Sequence, residues 1–319
     1  MAATVTVRWM DGADLREGAL DDLAKARKVG STVWIDVLAP DEASLEVLRK
    51  AFGLHPVAIE DALHFPQRPK LESYDEAAFL VWQFPRHGDH RAVAMIELDV
   101  FLGEHFLITS HRDDLPVIAE VCGEAAKAMS KGADWTLHVL LDRGVDDLFP
   151  MIDKLSERLD HVEDAMLGDP AESDLHELYG IKRALMTLYR VVGMERDVLR
   201  GMARRQEFVS QDAYLYFQDV GDHLARAVDT LDTYRDVASG TMDLYLSAVS
   251  NRLNVVMKRL TLVATIFMPL SFITGIYGMN LVLGMWPSPE ARWAFPAVML
   301  AMAVITAGML WYYRMRRWW

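Results

Sequence analysis

The chain has 319 residues and a formal net charge of −13, with 52% hydrophobic residues and a single cysteine, Cys122. One cysteine excludes an intrachain disulfide and a thiolate zinc cluster. The acidic balance argues against a nucleic-acid partner, which needs a basic face, and favours cations instead.

Residues 1–112 predict an α/β domain. VTVRW (5–9), TVWIDV (32–37), AAFLVWQF (77–84), AMIELDVFL (94–102) and HFLITS (105–110) read as strands, several with visible alternation. Gly103-Glu104 sits where a hairpin should turn. APDEASLEVLRKAFG predicts a short helix with Asp41 as N-cap and Gly53 just past its end. HPVAIEDALH predicts a second short helix, and FPQRPKLESYD a proline-punctuated connector. The opening MAATVTVRWMDGADL carries no apolar run of the signal-peptide kind, so the N-terminus is expected to stay cytoplasmic.

From 113 to 259 strand signals vanish. Helices are expected near 115–131, 135–168 and 173–208, with Gly168-Asp169-Pro170 as a break. A last helix from about Asp212 runs without a stop signal to about Tyr277. At 1.5 Å per residue it would be roughly 100 Å long, a stalk entering a bilayer.

Residues 260–319 form the expected membrane domain. LTLVATIFMPLSFITGIY (260–277) and WAFPAVMLAMAVITAGMLWYY (293–313) contain no charge. A span needs about 20 apolar residues, which predicts transmembrane helices at about 260–279 and 293–313. Lys258 and Arg259 precede the first and Arg314, Arg316 and Arg317 follow the second. By the positive-inside rule both termini are cytoplasmic and the link carrying Gly278-Met279-Asn280 is external.

The long helix carries a seam. Asp222, Asp229, Asp236 and Asp243 recur every seven residues. Asn254, Met257, Thr261, Ala264, Met268, Ser271, Gly275 and Gly278 continue in steps of three and four. These are small or weakly polar groups, not the bulky aliphatics of a packed coiled coil. Two readings fit: the lining of a pore formed by several copies, or a close helix–helix contact. Two spans per chain enclose little, so a pore requires a closed oligomer. A ring of Asn280 amide oxygens at its mouth would suit a hard, hydrated cation such as Mg²⁺.

The stretch MDLYLSAVSNRLNVVMKRLTLVATIFMPLSFITGIYGMN (242–280) resembles the CorA family of divalent-cation transport proteins. GLHPVAIEDALHFPQRPKLESYD (53–75) and YFQDVGDH (216–223) resemble that family's cytoplasmic domain. The resemblance implies a homopentameric funnel: an α+β cytoplasmic domain, a long stalk helix, and two C-terminal transmembrane helices in the inner (plasma) membrane. It implies a Mg²⁺ and Co²⁺ channel gated by cytosolic Mg²⁺, the ion being both cargo and regulator, with no organic cofactor. It assigns Gly278, Met279 and Asn280 to a selectivity filter. Asn254, Met257, Leu260, Met268 and Ser271 fall at its pore positions beside Thr261, and Asp243 at the cytoplasmic entrance. Glu60 and Asp61 of one subunit, with Asp219, Asp222 and His223 of its neighbour, match an interfacial regulatory cation site. One departure stands out: after the Gly-Met-Asn, LVLGMWPSPEARW offers one acid, Glu290, where the magnesium branch often has a nearer one.

The alternatives are a zinc-transporting branch of the same superfamily, possibly proton-coupled, and a non-conducting membrane-anchored sensor. The seam holds no His or Cys, which argues against a dedicated zinc path. The chain contains no phosphate-binding glycine loop or nucleophile elbow, so no enzyme is expected.

Overall fold

The protein is described by a computed structural model covering residues 3–28, 32–86, 93–168, 170–204, 207–279 and 291–316. The chain divides into two compact units, Met1–Met242 and Asp243–Trp319.

The first unit is built on a seven-stranded sheet. Its strands are β1 (Thr4–Asp11), β2 (Asp14–Ala19), β3 (Val33–Leu38), β4 (Lys70–Ser73), β5 (Ala78–Arg86), β6 (Ala94–Leu102) and β7 (Phe106–His111). Their order is β2-β1-β3-β7-β6-β5-β4, with β3 and β7 parallel and the other neighbours antiparallel. The five expected strands are present, and β2 and β4 are added at the two edges. Both additions escape a pattern-based reading for a physical reason. An edge strand buries little, so DLREGA and KLES carry no apolar alternation.

One face of the sheet is covered by α1 (Leu23–Lys28), α2 (Glu42–Phe52) and α3 (Pro56–Leu63). Leu45, Leu48, Ala58, Ile59 and Ala62 meet Val7, Ile35, Val37, Phe79, Val81, Phe101 and Ile108 in one buried cluster. Asp41 accepts from the Ser44 N–H at 2.8 Å and caps α2. Gly53 ends it in the left-handed region at φ 69°, where a side chain would be strained.

The other face carries α4 (Pro116–Cys122), α5 (Ala125–Met129) and α6 (Ala133–Asp146). Leu137, Leu140 and Leu141 of α6 are fully buried. Gly144 comes so close to the Phe84 ring that a methyl there would overlap it. Where the sequence predicts one helix over 115–131 there are two short ones, parted at Gly123-Glu124. The run expected over 135–168 is likewise split: α7 (Leu148–Leu167) starts afresh after Asp147. Pro150 has no N–H to donate and sits in α7's first turn, where none is needed.

The helical layer is completed by α8 (Glu172–Ala203) and by the first part of α9 (Gln211–Gly278), a helix of 68 residues. Phe217, Val220, Leu224, Ala227 and Leu231 recur at helical spacing and are buried. The acidic residues Asp222, Asp229 and Asp236 lie on the exposed side.

The second unit holds the rest of α9 and α10 (Ala294–Met315). Both contain windows long and apolar enough to cross a membrane, with mean hydropathy 1.8 and 1.9. The apolar window of α9 has none of its residues buried. Pro269 sits inside α9, so the Thr265 carbonyl loses its usual donor.

Candidate functional site

The seam on α9 stays open to the outside of the chain. Asp243, Asn254, Met257, Leu260, Thr261, Ala264, Met268, Ser271, Gly275, Gly278 and Met279 are all exposed. Met268 is 76% exposed, the extreme among the large apolar residues of α9. A Cβ built at Gly275 or Gly278 would meet nothing within 4 Å. Asn280 lies outside the described residues, as do the link from 281 and Glu290.

A different face of the same helix is covered. Leu262, Ile266, Pro269, Leu270, Ile273 and Tyr277 are half-buried. On α10 a matching stripe, Val298, Met302, Ile305, Met309 and Tyr313, is half-buried too. These are the two described helices of the second unit, and each carries one half-buried stripe. At about 100° per residue the covered stripe and the seam lie on roughly opposite sides of α9. The small residues of the seam therefore lie away from the half-buried stripe.

The residues matched to a regulatory site all lie in the first unit. Glu60 and Asp61 sit in the last turns of α3, which starts with Pro56 at its first position and is capped by the His55 ring accepting from the Val57 N–H at 3.3 Å. Glu60 is exposed, and its carboxylate has no partner among the described residues. Asp61 is half-buried and engaged. Its Oδ2 accepts from Lys70 Nζ of β4, and its Oδ1 from Gln67 Nε2 at 3.4 Å. Lys70 also donates to Glu72 at 3.2 Å. Burial works against the Lys70 charge, but the bonds to Asp61 and Glu72 outweigh it and hold its pKa above the ordinary value. Tyr74, half-buried and donating to Glu72 at 2.8 Å, is pushed up to about 12 by that burial and by the Glu72 bond.

Asp219 and Asp222 are exposed on α9, while His223 is half-buried. The His223 ring stands edge-on to Phe149 of α7, 6.4 Å between centroids, and its Nδ1 is buried without a partner among the described residues. On α6, burial pushes the Asp142 carboxyl up and the His138 imidazole down, and both feel Asp219. His138 is wedged among Trp135, Tyr216 and Phe217. Within one chain, no three His, Cys, Asp or Glu among the described residues come together as a metal-sized group. Any cation held by Glu60, Asp61, Asp219, Asp222 or His223 needs ligands from a second copy or from water.

Sequence reasoning missed the surroundings of Asp61. Lys70 is contributed by the unrecognised edge strand β4. Glu97 and Asp99 of β6 lie on the sheet face beneath α3, in the strand read as IELDVFL. The available signal was acids at positions whose neighbours two residues on, such as Phe101, are core. On the opposite face, TSHRDD ends β7 and contributes a buried network. Thr109 Oγ1 donates to Asp36 at 2.5 Å and accepts from Trp34 Nε1 at 3.2 Å, and His111 Nε2 lies 3.2 Å from Asp36.

A family profile described as "CorA-like Mg2+ transporter protein" matches residues 29–317. The chain is 32% identical over 299 residues to the cobalt/magnesium transport protein CorA of Thermotoga maritima, covering 92% of this chain and 85% of that one. It is 27% identical to the divalent cation transporter CmaX of Pseudomonas aeruginosa, covering 85% and 82%. Among solved structures, the complete CorA magnesium transporter from Methanocaldococcus jannaschii superposes with a TM-score of 0.83 at 22% identity, covering 98% of each chain.

Proposed function

The chain belongs to the CorA family of divalent-cation transporters, and on that premise we propose that it is a Mg²⁺ channel, also passing Co²⁺, closed by cytosolic Mg²⁺. Residues 1–259 form its cytoplasmic part and 260–319 its membrane domain. Several copies, a homopentamer by family likeness, gather with α9 inside and α10 outside, in the plasma (inner) membrane with both termini cytoplasmic.

The observation that supports this reading is the exposure of the α9 seam on the side opposite the helix's half-buried stripe. With α10 occupying one side, the side left for an axis bears Asn254, Thr261, Ser271 and the two glycines. Hydroxyl, amide and thioether groups let a cation pass with its hydration shell, since Mg²⁺ dehydrates reluctantly. Gly278, Met279 and Asn280 form the outer filter in this reading. Asp243, with the exposed acids before it, concentrates cations at the cytoplasmic end. Transport is passive: a negative interior contributes about 2.3 kcal/mol per charge per 100 mV, doubled for a divalent ion.

Gating follows from charge. Glu60 and Asp61 of one copy and Asp219 and Asp222 of the next repel across an interface when no ion is present, with His223 alongside to hydrogen-bond a bound water. Mg²⁺ between them removes the repulsion and favours the symmetric closed state; its loss shifts the population towards the open one.

Purified full-length protein in liposomes tests this reading. Mg²⁺ influx that stops with Asn280→Ala supports it. Zn²⁺ movement that needs a pH gradient, without Mg²⁺ flux, replaces it with a zinc transporter, and no flux of either ion leaves a non-conducting sensor.

A further inference from the structure

Lys70 begins a row that crosses the sheet. It pairs with Val81, Val81 with Asp99, and Asp99 with Ser110. Residues in such a row share one face, here the face covered by α3. The outer end of the row is satisfied, because Lys70 Nζ bonds Asp61 and Glu72. The inner end is not. Asp99 and Ser110 are 0% exposed, yet both Asp99 oxygens, the Ser110 hydroxyl and Glu97 Oε1 find no partner among the described residues.

Buried oxygens without donors are costly, and proteins rarely keep four together without using them. Lys70 is the nearest source of donors by construction. Strands lie about 4.8 Å apart, so Lys70 and Asp99, two strands apart, have backbones about 10 Å apart. An extended lysine and an aspartate close that span between them. Both Asp99 and Glu97 already feel the Lys70 charge.

We propose that Lys70 is a tethered competitor for the regulatory cation: it occupies Asp61 while the interfacial site lacks Mg²⁺, and moves to the Asp99, Glu97 and Ser110 oxygens when Mg²⁺ takes Asp61. The inference rests on reading Asp61 as a regulatory ligand. An ammonium and a divalent ion on one carboxylate repel, so Mg²⁺ must displace Lys70. The second seat gives the displaced ammonium three donors' worth of acceptors instead of leaving it stranded in a half-buried position. Lys70 and Asp99 thus act in opposite senses on the affinity of the regulatory site, although neither binds the ion.

The test measures, on the full-length protein in liposomes, the internal Mg²⁺ concentration that half-closes the channel. Lys70→Met should lower that midpoint roughly fivefold, the scale of a partly screened ion pair. Asp99→Ala should raise it, and the double variant should match Lys70→Met alone, because the second seat is useless without its occupant. Glu60→Ala serves as the reference for the site itself. If Glu60→Ala shifts the midpoint while Lys70→Met and Asp99→Ala leave it in place, or if Lys70→Met raises it, the competitor inference fails and the site stands. If Glu60→Ala leaves the midpoint in place, the reading of the regulatory site fails and takes the inference with it.

Discussion

The helix α9 passes through two regimes. Between Ala213 and Thr241 nine of its residues are buried against its own chain. From Asp243 to Gly278 none is, although this stretch is the richer in apolar residues. The first region solves the hydrophobic problem by folding. The second leaves it to be solved by lipid, since large contiguous apolar surface is not left to water. Exposure therefore carries opposite meanings along one helix. At Asp229 it marks a solvated side chain, and at Met268 it marks an apolar surface on a membrane-spanning helix.

Two leucines on α9 make the sharpest contrast. Leu224 is 0% exposed and Leu260 is 61% exposed. Leu224→Ala is expected to cost about 2–5 kcal/mol in denaturant unfolding of the first unit. Leu260→Ala should stay within about 0.5 kcal/mol in the same assay while altering Mg²⁺ flux. Equal losses at the two sites would erase the distinction. A smaller effect on the folded side is expected from Gly144→Ala, where the new methyl must push the buried Phe84 ring aside, at about 1–3 kcal/mol.

Next comes a dependence on pH confined to the first region. Burial disfavours the His111 charge, but its bond to Asp36, aided by the Asp113 carbonyl, prevails and raises its pKa above the ordinary 6.5. A raised histidine contributes stability that is fully present below its unfolded pKa and is lost as pH rises through the folded one. Denaturation midpoints of the first unit should accordingly fall as pH climbs from about 6.5, and His111→Gln should flatten that decline. The smallest effect is expected at Asp41→Ala, about 1 kcal/mol for the lost helix cap, read by the same denaturation and absent from flux.

Local chemistry was legible where one residue decides the outcome. Asp41 and Gly53 marked the ends of α2, and the uninterrupted run from Asp212 marked α9. Strands β3, β5, β6 and β7 could be read because a central strand must be apolar to be buried. The edge strands β2 and β4 could not, since their pairing comes from neighbours and not from their own composition. The seam was visible because spacing alone places residues on a helix face. That the opposite face is half-buried emerged only from the structure. The bond between Lys70 and Asp61 was equally hidden: it joins a helix to an edge strand, and no spacing rule connects them.

The central claim is that the α9 seam borders water and that the face turned to α10 does not. With the lone Cys122 replaced by serine, single cysteines can be placed along 254–273 and exposed to a charged, membrane-impermeant thiol reagent in proteoliposomes. The account expects modification, with block of Mg²⁺ flux, at Asn254, Met257, Thr261, Ala264, Met268 and Ser271, and silence at Leu262, Ile266 and Leu270. Labelling of the α10-facing stripe with a silent seam would contradict it.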